Sequence, residues 1–304
     1  MPGACAAIYN CLTMNRLTSF ALSSLLLVLT DAARPQQLPA DFINPLKKTL
    51  NEGGIVIGCT LTAANLDTAS ILANAGFDFL WIEGEHSPIT LETMRNMILL
   101  TQGRRAIPLT RVPVNELWTA KRMLDIGSLG IVFPFTDTPE LARQAVAACK
   151  YPPEGKRGAG PGLATLRWPA PGGYPQWANK NVMVITIIER PVAVEQIEEI
   201  AAVPGIDVLF IGLNDLSYGY GVPGQTAAPV MKDAVNRVLR AGKKHGIPVG
   251  GPAGTAADIK RMLAEGFRFI QGPSDLGLLQ TATRNFFDSL KTAGVEKKEP
   301  IPLY

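Results

Sequence analysis

The chain has 304 residues, 47% of them hydrophobic and 18% charged, enough apolar material for a sizeable core and too much for wholesale disorder. Its net charge of +3, from 29 basic and 26 acidic residues, is close to balanced. Lys243-Lys244 and Lys297-Lys298 are too isolated to form a nucleic-acid surface. The four cysteines, Cys5, Cys11, Cys59 and Cys149, make no CxxC pair, which argues against a zinc site or a disulfide framework.

Arg16 precedes an apolar run, Leu17–Leu29, and Asp31-Ala-Ala33 follows it. That pattern resembles a secretory signal peptide, and the run is too short for a transmembrane span. The chain has no Asn-x-Ser/Thr sequon and no disulfide pattern to accompany export. A cytoplasmic location is therefore expected, with the secretory pathway as the alternative if residues up to about 33 act as a signal. Residues 1–38 are set apart as an N-terminal extension, of signal-peptide or non-native character, and the polar residues 293–304 as a loose tail.

Between them, apolar segments alternate with helical patterns. Ile55–Gly58 leads to a helix near Asn65–Ala75. Phe79–Glu83 leads to Thr90–Gln102, with Thr90 as an N-cap. Ile107–Arg111 leads to Glu116–Ile126, and Gly130–Pro134 to Pro139–Cys149. A Gly- and Pro-rich stretch, Tyr151–Lys180, reads as a long loop. After it come Val182–Glu189 with helix Val192–Ala202, Asp207–Gly212 with helix Val230–His245, and Ile247–Gly250 with helix Ala256–Glu265. Arg268–Gly272 with a helix from Asp275 to Leu290 completes the series. Strands alternating with helices imply parallel pairing through right-handed crossovers, and eight units in about 250 residues match a closed (β/α)8 barrel, assigned to 39–292. An open doubly wound sheet is disfavoured, because Gly158-Ala-Gly160-Pro-Gly162 lies in the long loop and lacks the last glycine of a phosphate fingerprint.

In such a barrel the polar residues at strand ends converge on one mouth. They are Glu83 and His86 after the second strand, Arg111 at the third, Glu189 at the fifth and Asp215 just past the sixth. Two carboxylates from neighbouring strands suit a hard divalent cation, Mg2+, Mn2+ or Co2+. An arginine can hold an oxyanion, and a histidine can move a proton near neutral pH. Each residue also has a structural use open to it: Glu189 paired with Arg190, Asp215 as an N-cap, Arg111 in an ion pair, His86 in a turn before Pro88. His245, before Gly246, fits a helix C-terminus. Cys59 and Cys149 read as small buried hydrophobes.

Ordered blocks over residues 45 to 290 resemble the HpcH/HpaI aldolases, metal-dependent 2-oxo acid aldolases of the pyruvate/phosphoenolpyruvate barrel superfamily. The blocks are Ala75–Asp78, Glu83-Gly-Glu-His-Ser-Pro88, Arg111-Val-Pro113, Met123–Gly127, Tyr151–Gly158, Ile188-Glu189 and Phe210–Ser217. The resemblance implies a class II type lyase acting through the metal-stabilised enolate of pyruvate or a related 2-oxo acid, with an aldehyde or other acceptor. It implies Glu189 and Asp215 as metal carboxylates, His86 as acid/base and Arg111 as the stabiliser of developing charge and a substrate contact. It further implies Glu83 as the support of His86, Asp125 as a residue lent by a neighbouring subunit, and Asn214 beside the substrate carboxylate. A homo-oligomer, a hexamer by resemblance, is expected, with no nucleic-acid or membrane partner.

Three departures stand out: Ile187 occupies the position where the family carries glutamine, Asn214 replaces a small residue, and Pro161 alters the Gly-rich loop. Ile187 keeps open a fungal biosynthetic reading, macrophomate synthase-like bond formation with decarboxylation. A catalytically reduced barrel kept as a binding subunit is the remaining alternative.

Overall fold

The computed structural model describes residues 38–295; the signal-like run and the residues after 295 lie outside them. A short helix, α1 (Pro45–Asn51), precedes β1 (Val56–Leu61) and α2 (Leu66–Ala73). Next come β2 (Phe79–Glu83), α3 (Leu91–Leu100), β3 (Ile107–Arg111), α4 (Leu117–Asp125), β4 (Gly130–Phe133) and α5 (Pro139–Cys149). Two further helices, α6 (Gly162–Arg167) and α7 (Tyr174–Asn181), lead into β5 (Met183–Ile188), α8 (Pro191–Glu195) and α9 (Ile197–Ala201). The chain then forms β6 (Val208–Ile211), α10 (Leu213–Gly219), α11 (Pro229–His245), β7 (Val249–Pro252), α12 (Ala256–Glu265), β8 (Phe269–Ser274) and α13 (Asp275–Thr292). The strands close in sequence order into one parallel barrel, and β8 returns to β1 with Val56 opposite Phe269 and Gly58 opposite Gln271. The (β/α)8 expectation holds.

Period-two alternation sorts each strand between two cores. On β2, Leu80 and Ile82 face outward and are buried against α2 and α3 with Leu72, Met94 and Met97. Phe79 and Trp81 face inward, where Phe79 stacks on Phe269 at 4.4 Å between centroids and Trp81 meets Phe210 at 5.1 Å. The same alternation turns Glu83 inward, at the mouth. Across the barrel, α11 buries Met231, Ala234, Val238 and Ala241, spaced at three and four residues, against strands β6 and β7. Met231 and Val238, both fully buried, contribute about 1.5–3 kcal/mol each.

Local signals start several helices. The Thr90 hydroxyl accepts from the Thr93 N–H at 3.2 Å, and Thr138 and Thr255 cap α5 and α12 in the same way. The seam of the barrel is closed by the buried Asp275, whose carboxylate accepts from the backbone N–H groups of Thr62, Ala63 and Leu276.

The expected long loop, Tyr151–Lys180, is instead structured by α6 and α7. Its tryptophans supply the reason: Trp168 Nε1 donates to the Gly127 carbonyl at 2.8 Å, and Trp177 packs 5.8 Å from Trp168. The Arg167 guanidinium lies 3.8 Å from the Trp168 ring centroid. Tertiary contacts override the local Gly and Pro signals. The helix expected over Val192–Ala202 is broken at Gln196 into α8 and α9. The short α10, unforeseen in the sequence, carries Asp215. Among the described residues, no helix is long and apolar enough to cross a membrane.

Candidate active site

Strand β2 ends by wrapping its next turn around its own last side chain. Glu83 is buried, and its Oε1 accepts from the backbone N–H of Glu85 at 2.7 Å and of His86 at 3.0 Å. Ser87 Oγ donates to the Glu83 carbonyl at 2.6 Å. Gly84 permits the turn, because a Cβ there would lie 2.4 Å from the Arg111 carbonyl oxygen.

Strand register sets Glu83 beside Arg111 on β3. Arg111 Nε and Nη2 donate to Glu83 Oε2, both at 2.8 Å, while Nη1 lies 3.1 Å from Glu85 Oε2. Burial alone would raise the Glu83 carboxyl, but Arg111 and the two backbone N–H groups hold it below the ordinary range. Glu85 moves the other way: burial raises it, Arg111 and His86 oppose, and Glu83 and Asp215 add to the rise. Glu85 Oε2 is 3.6 Å from His86 Nε2, and the His86 side chain is 67% exposed at the mouth.

On the β5–β6 side, Glu189 follows directly after β5 and is buried. Its Oε1 accepts from the Phe135 N–H at 2.6 Å, and Phe135 holds a left-handed φ of 47°. Burial pushes the Glu189 carboxyl up to about 7, against the Phe135 N–H and with help from Asp215 and Glu85. A Cβ at Gly212 would lie 2.7 Å from Glu189 Cβ and 2.8 Å from its Oε2, so only glycine lets the side chain lie there.

Asp215 is exposed in the first turn of α10 and is not its N-cap, a position held by Gly212. Arg190 leaves Glu189 alone: it pairs with Asp137 at 3.0 Å and lies over the Phe135 ring at 4.3 Å. Both Glu189 and Asp215 line an open cleft with Phe135, Arg190 and Tyr218. Ile187 is buried on the same strand face as Glu189.

The structure thus brings Glu83, His86 and Arg111 together on one side, with Glu189 and Asp215 acting on Glu85 and on each other through space. Asn214 is exposed beside Asp215. Asp125, at the end of α4, pairs within its own chain with the buried Arg157 at 2.9 Å. Sequence reasoning missed Glu85, whose residue type matched the site but whose direction past the strand end follows no periodicity. It also missed the Phe135 N–H, for which side-chain identity carries no signal. His245 lies 3.1 Å from Glu198, and Cys59 and Cys149 are buried free thiols.

The HpcH/HpaI aldolase/citrate lyase family model matches residues 57–282. A 5-keto-4-deoxy-D-glucarate aldolase of Klebsiella pneumoniae subsp. pneumoniae is 36% identical over 252 residues, covering 83% of this chain and 98% of that protein. The crystal structure of an HpcH/HpaI aldolase/citrate lyase family protein from Burkholderia cenocepacia J2315 superposes with a TM-score of 0.77 at 33% identity, covering 82% of this chain and 99% of that one. Macrophomate synthase shares the fold, with a TM-score of 0.73 at 24% identity over 85% of this chain and 96% of its own. With the barrel closed and the family model spanning most of it, the chain belongs to the HpcH/HpaI aldolase/citrate lyase family, as a carbon–carbon lyase of aldolase type.

Proposed function

We propose that the protein cleaves or forms a carbon–carbon bond next to the keto group of pyruvate or a related 2-oxo acid, with the help of a divalent cation. The observation that carries this reading is the pairing of an acidic wall, Glu189 with Asp215, with an Arg111–His86 wall at one barrel mouth. The residues present fit a hard cation. Glu85, Glu189 and Asp215 interact unfavourably as carboxylates, offset at Glu189 by the Phe135 N–H and by Arg111. Glu189 and Asp215 would hold the ion. Among the described residues, no group of three or more His, Cys, Asp or Glu side chains is placed to hold a metal ion, so the protein's share of the ligands would be these two carboxylates.

When bound, the cation supplies Lewis-acid polarisation of the keto oxygen. Arg111 has five N–H donors, and Glu83 and Glu85 engage three of its nitrogens through one N–H each. Two N–H groups remain for an oxygen that gains charge during the reaction. His86, exposed at the rim, gives or takes the proton on the departing or arriving hydroxyl. Glu83 builds the turn that carries His86, and the Asn214 region borders the substrate carboxylate. Asp125, fixed by Arg157, faces a neighbouring subunit. That assembly is supported by α13, an 18-residue helix of which only Asp275 is buried, leaving Leu276, Leu279 and Phe286 exposed.

The test is aldol cleavage of a 4-hydroxy-2-oxo acid panel that includes 5-keto-4-deoxy-D-glucarate, together with oxaloacetate decarboxylation. Both are run after chelation and after return of Mg2+, Mn2+ or Co2+. Turnover that is lost on chelation and restored by metal is expected; no metal-dependent turnover across the panel would sink the reading. Ile187 favours a second version, in which the same site adds an apolar acceptor and oxaloacetate is consumed without aldol cleavage. The binding-only barrel is set aside, because the sequence agreement is with lyases and the site set is intact.

A further inference from the structure

We infer that Glu85 is a positioning residue that anchors Arg111 and His86 on a single carboxylate oxygen, so that the charge-stabilising donor and the proton-transfer group are aligned by one shared partner. The inference rests on the roles proposed for those two residues, and goes beyond them by assigning the work to Glu85 rather than to Glu83.

Glu83 has no capacity left. Its Oε1 takes two backbone N–H groups and shares Arg111 Nε, while Oε2 takes Arg111 Nε and Nη2 and the Trp81 indole N–H at 3.2 Å. Every lone-pair direction of that buried carboxylate is engaged, and none points to the imidazole. What it touches of His86 is the backbone. Its effect is to shape the turn.

Glu85 projects from that turn toward the mouth. The same atom, Oε2, lies 3.1 Å from Arg111 Nη1 and 3.6 Å from His86 Nε2. The Glu85 side chain is 11% exposed and the imidazole 67% exposed, so the carboxylate is the fixed partner and the ring the mobile one. A contact of 3.6 Å exceeds a hydrogen bond and shortens to one with a small rotation of the ring; contacts of this kind often tighten only with substrate in place. The charged groups acting on Glu85 are Arg111 from β3, His86 and Glu83 from its own loop, and Asp215 from α10; Glu189 beyond β5 is coupled to it as well. With one carboxylate between a guanidinium and an imidazole, displacement of either is felt by the other.

The competing view is that Glu85 is only a second counter-ion for Arg111. Three variants separate the two, assayed with 2-oxo acid and metal and by NMR of the metal-free protein. Glu85→Gln is expected to lower kcat by about 10- to 100-fold per folded site, with KM for the oxo acid within about threefold. Glu85→Asp should recover part of the loss. Glu83→Asp disturbs the turn and the Arg111 pairing together, so it should lower thermal stability and kcat while leaving the Glu85–His86 contact in place. Independently of turnover, the ring-proton shifts of His86 should follow the protonation of Glu85 as pH falls. That inflection should vanish in Glu85→Gln and persist in Glu83→Asp. Should Glu85→Gln fail to fold, Glu85→Asp serves, and the inflection should shrink as the carboxylate retreats by one methylene. An inflection unchanged in the Glu85 variant, or a kcat per folded site equal to wild type, overturns the assignment. A Glu85-dependent inflection in a protein that turns over no oxo acid would leave the coupling standing and remove the proposed activity instead.

Discussion

At the residue scale, the two walls of the mouth are expected to fail differently. Removing a carboxylate, Glu189→Ala or Asp215→Ala, should reduce activity by about 10²-fold or more and weaken metal binding, measurable by calorimetric titration alongside turnover. Arg111→Lys keeps the charge but loses the planar fork shared by Glu83 and Glu85. Here kcat should fall by about 10²-fold with metal affinity unchanged; a variant near wild-type rate would remove Arg111 from the chemistry. Glu83, His86, Arg111, Glu189 and Asp215 were candidates in the sequence because each sits at or just beyond the end of an apolar run. Glu85 sits there too, and no role could be assigned to it. Beyond the last strand residue the alternation of faces ends, and only the turn around Glu83 decides that Glu85 faces the mouth.

At the element scale, the supports of the site are backbone features. Gly212 leaves the space in which Glu189 lies, so Gly212→Ala should displace that carboxylate, lowering metal affinity by about tenfold and the melting temperature with it. Thr90→Ala removes the α3 cap and should cost about 1 kcal/mol in denaturant unfolding with kcat unchanged, since the cap touches none of the site residues. The capped helices and the strands were legible because their signals are local: a hydroxyl before an apolar period, a bulky run between polar turns. Helices α6 and α7 were not, since Gly and Pro dominate their local signal and what orders them is distant, Trp168 on the Gly127 carbonyl and Trp177 on Trp168. The break between α8 and α9 is hidden for a related reason. Ala193, Val194, Ile197 and Ile200 bury against one core and read as a continuous period.

At the scale of the whole molecule, the raised Glu189 carboxyl makes stability depend on pH in a definite direction. The folded state keeps that proton up to about 7 and the unfolded chain releases it near the ordinary carboxylate value of 4.5. Folding therefore loses stability at this group as pH rises through that window, by an amount of the order of 2–3 kcal/mol. Divalent metal should offset the loss, so the metal-induced rise in melting temperature should be larger at pH 8 than at pH 5. Glu189→Gln should flatten both dependences; a metal effect independent of pH and of Glu189 would place the ion elsewhere. The exposed apolar residues of α13 make a second expectation: if the proposed assembly forms through them, Leu279→Asp with Phe286→Ser should shift it toward monomers in light scattering, with the barrel intact by circular dichroism.

The clasp at Asp275 bears on how such a molecule is made. It joins Thr62 and Ala63 to a residue more than two hundred positions later, so the first strand of the barrel waits for the last. During synthesis, β1 and β2 leave the ribosome with one edge unpaired until β8 and Asp275 follow, and an open parallel edge of this length invites association with other chains. Nascent chains stalled before residue 275 should therefore be sensitive to protease and held by chaperones, and those released after it should not. The barrel closes only after β8 and Asp275 have been made, and its biogenesis should depend on when they emerge.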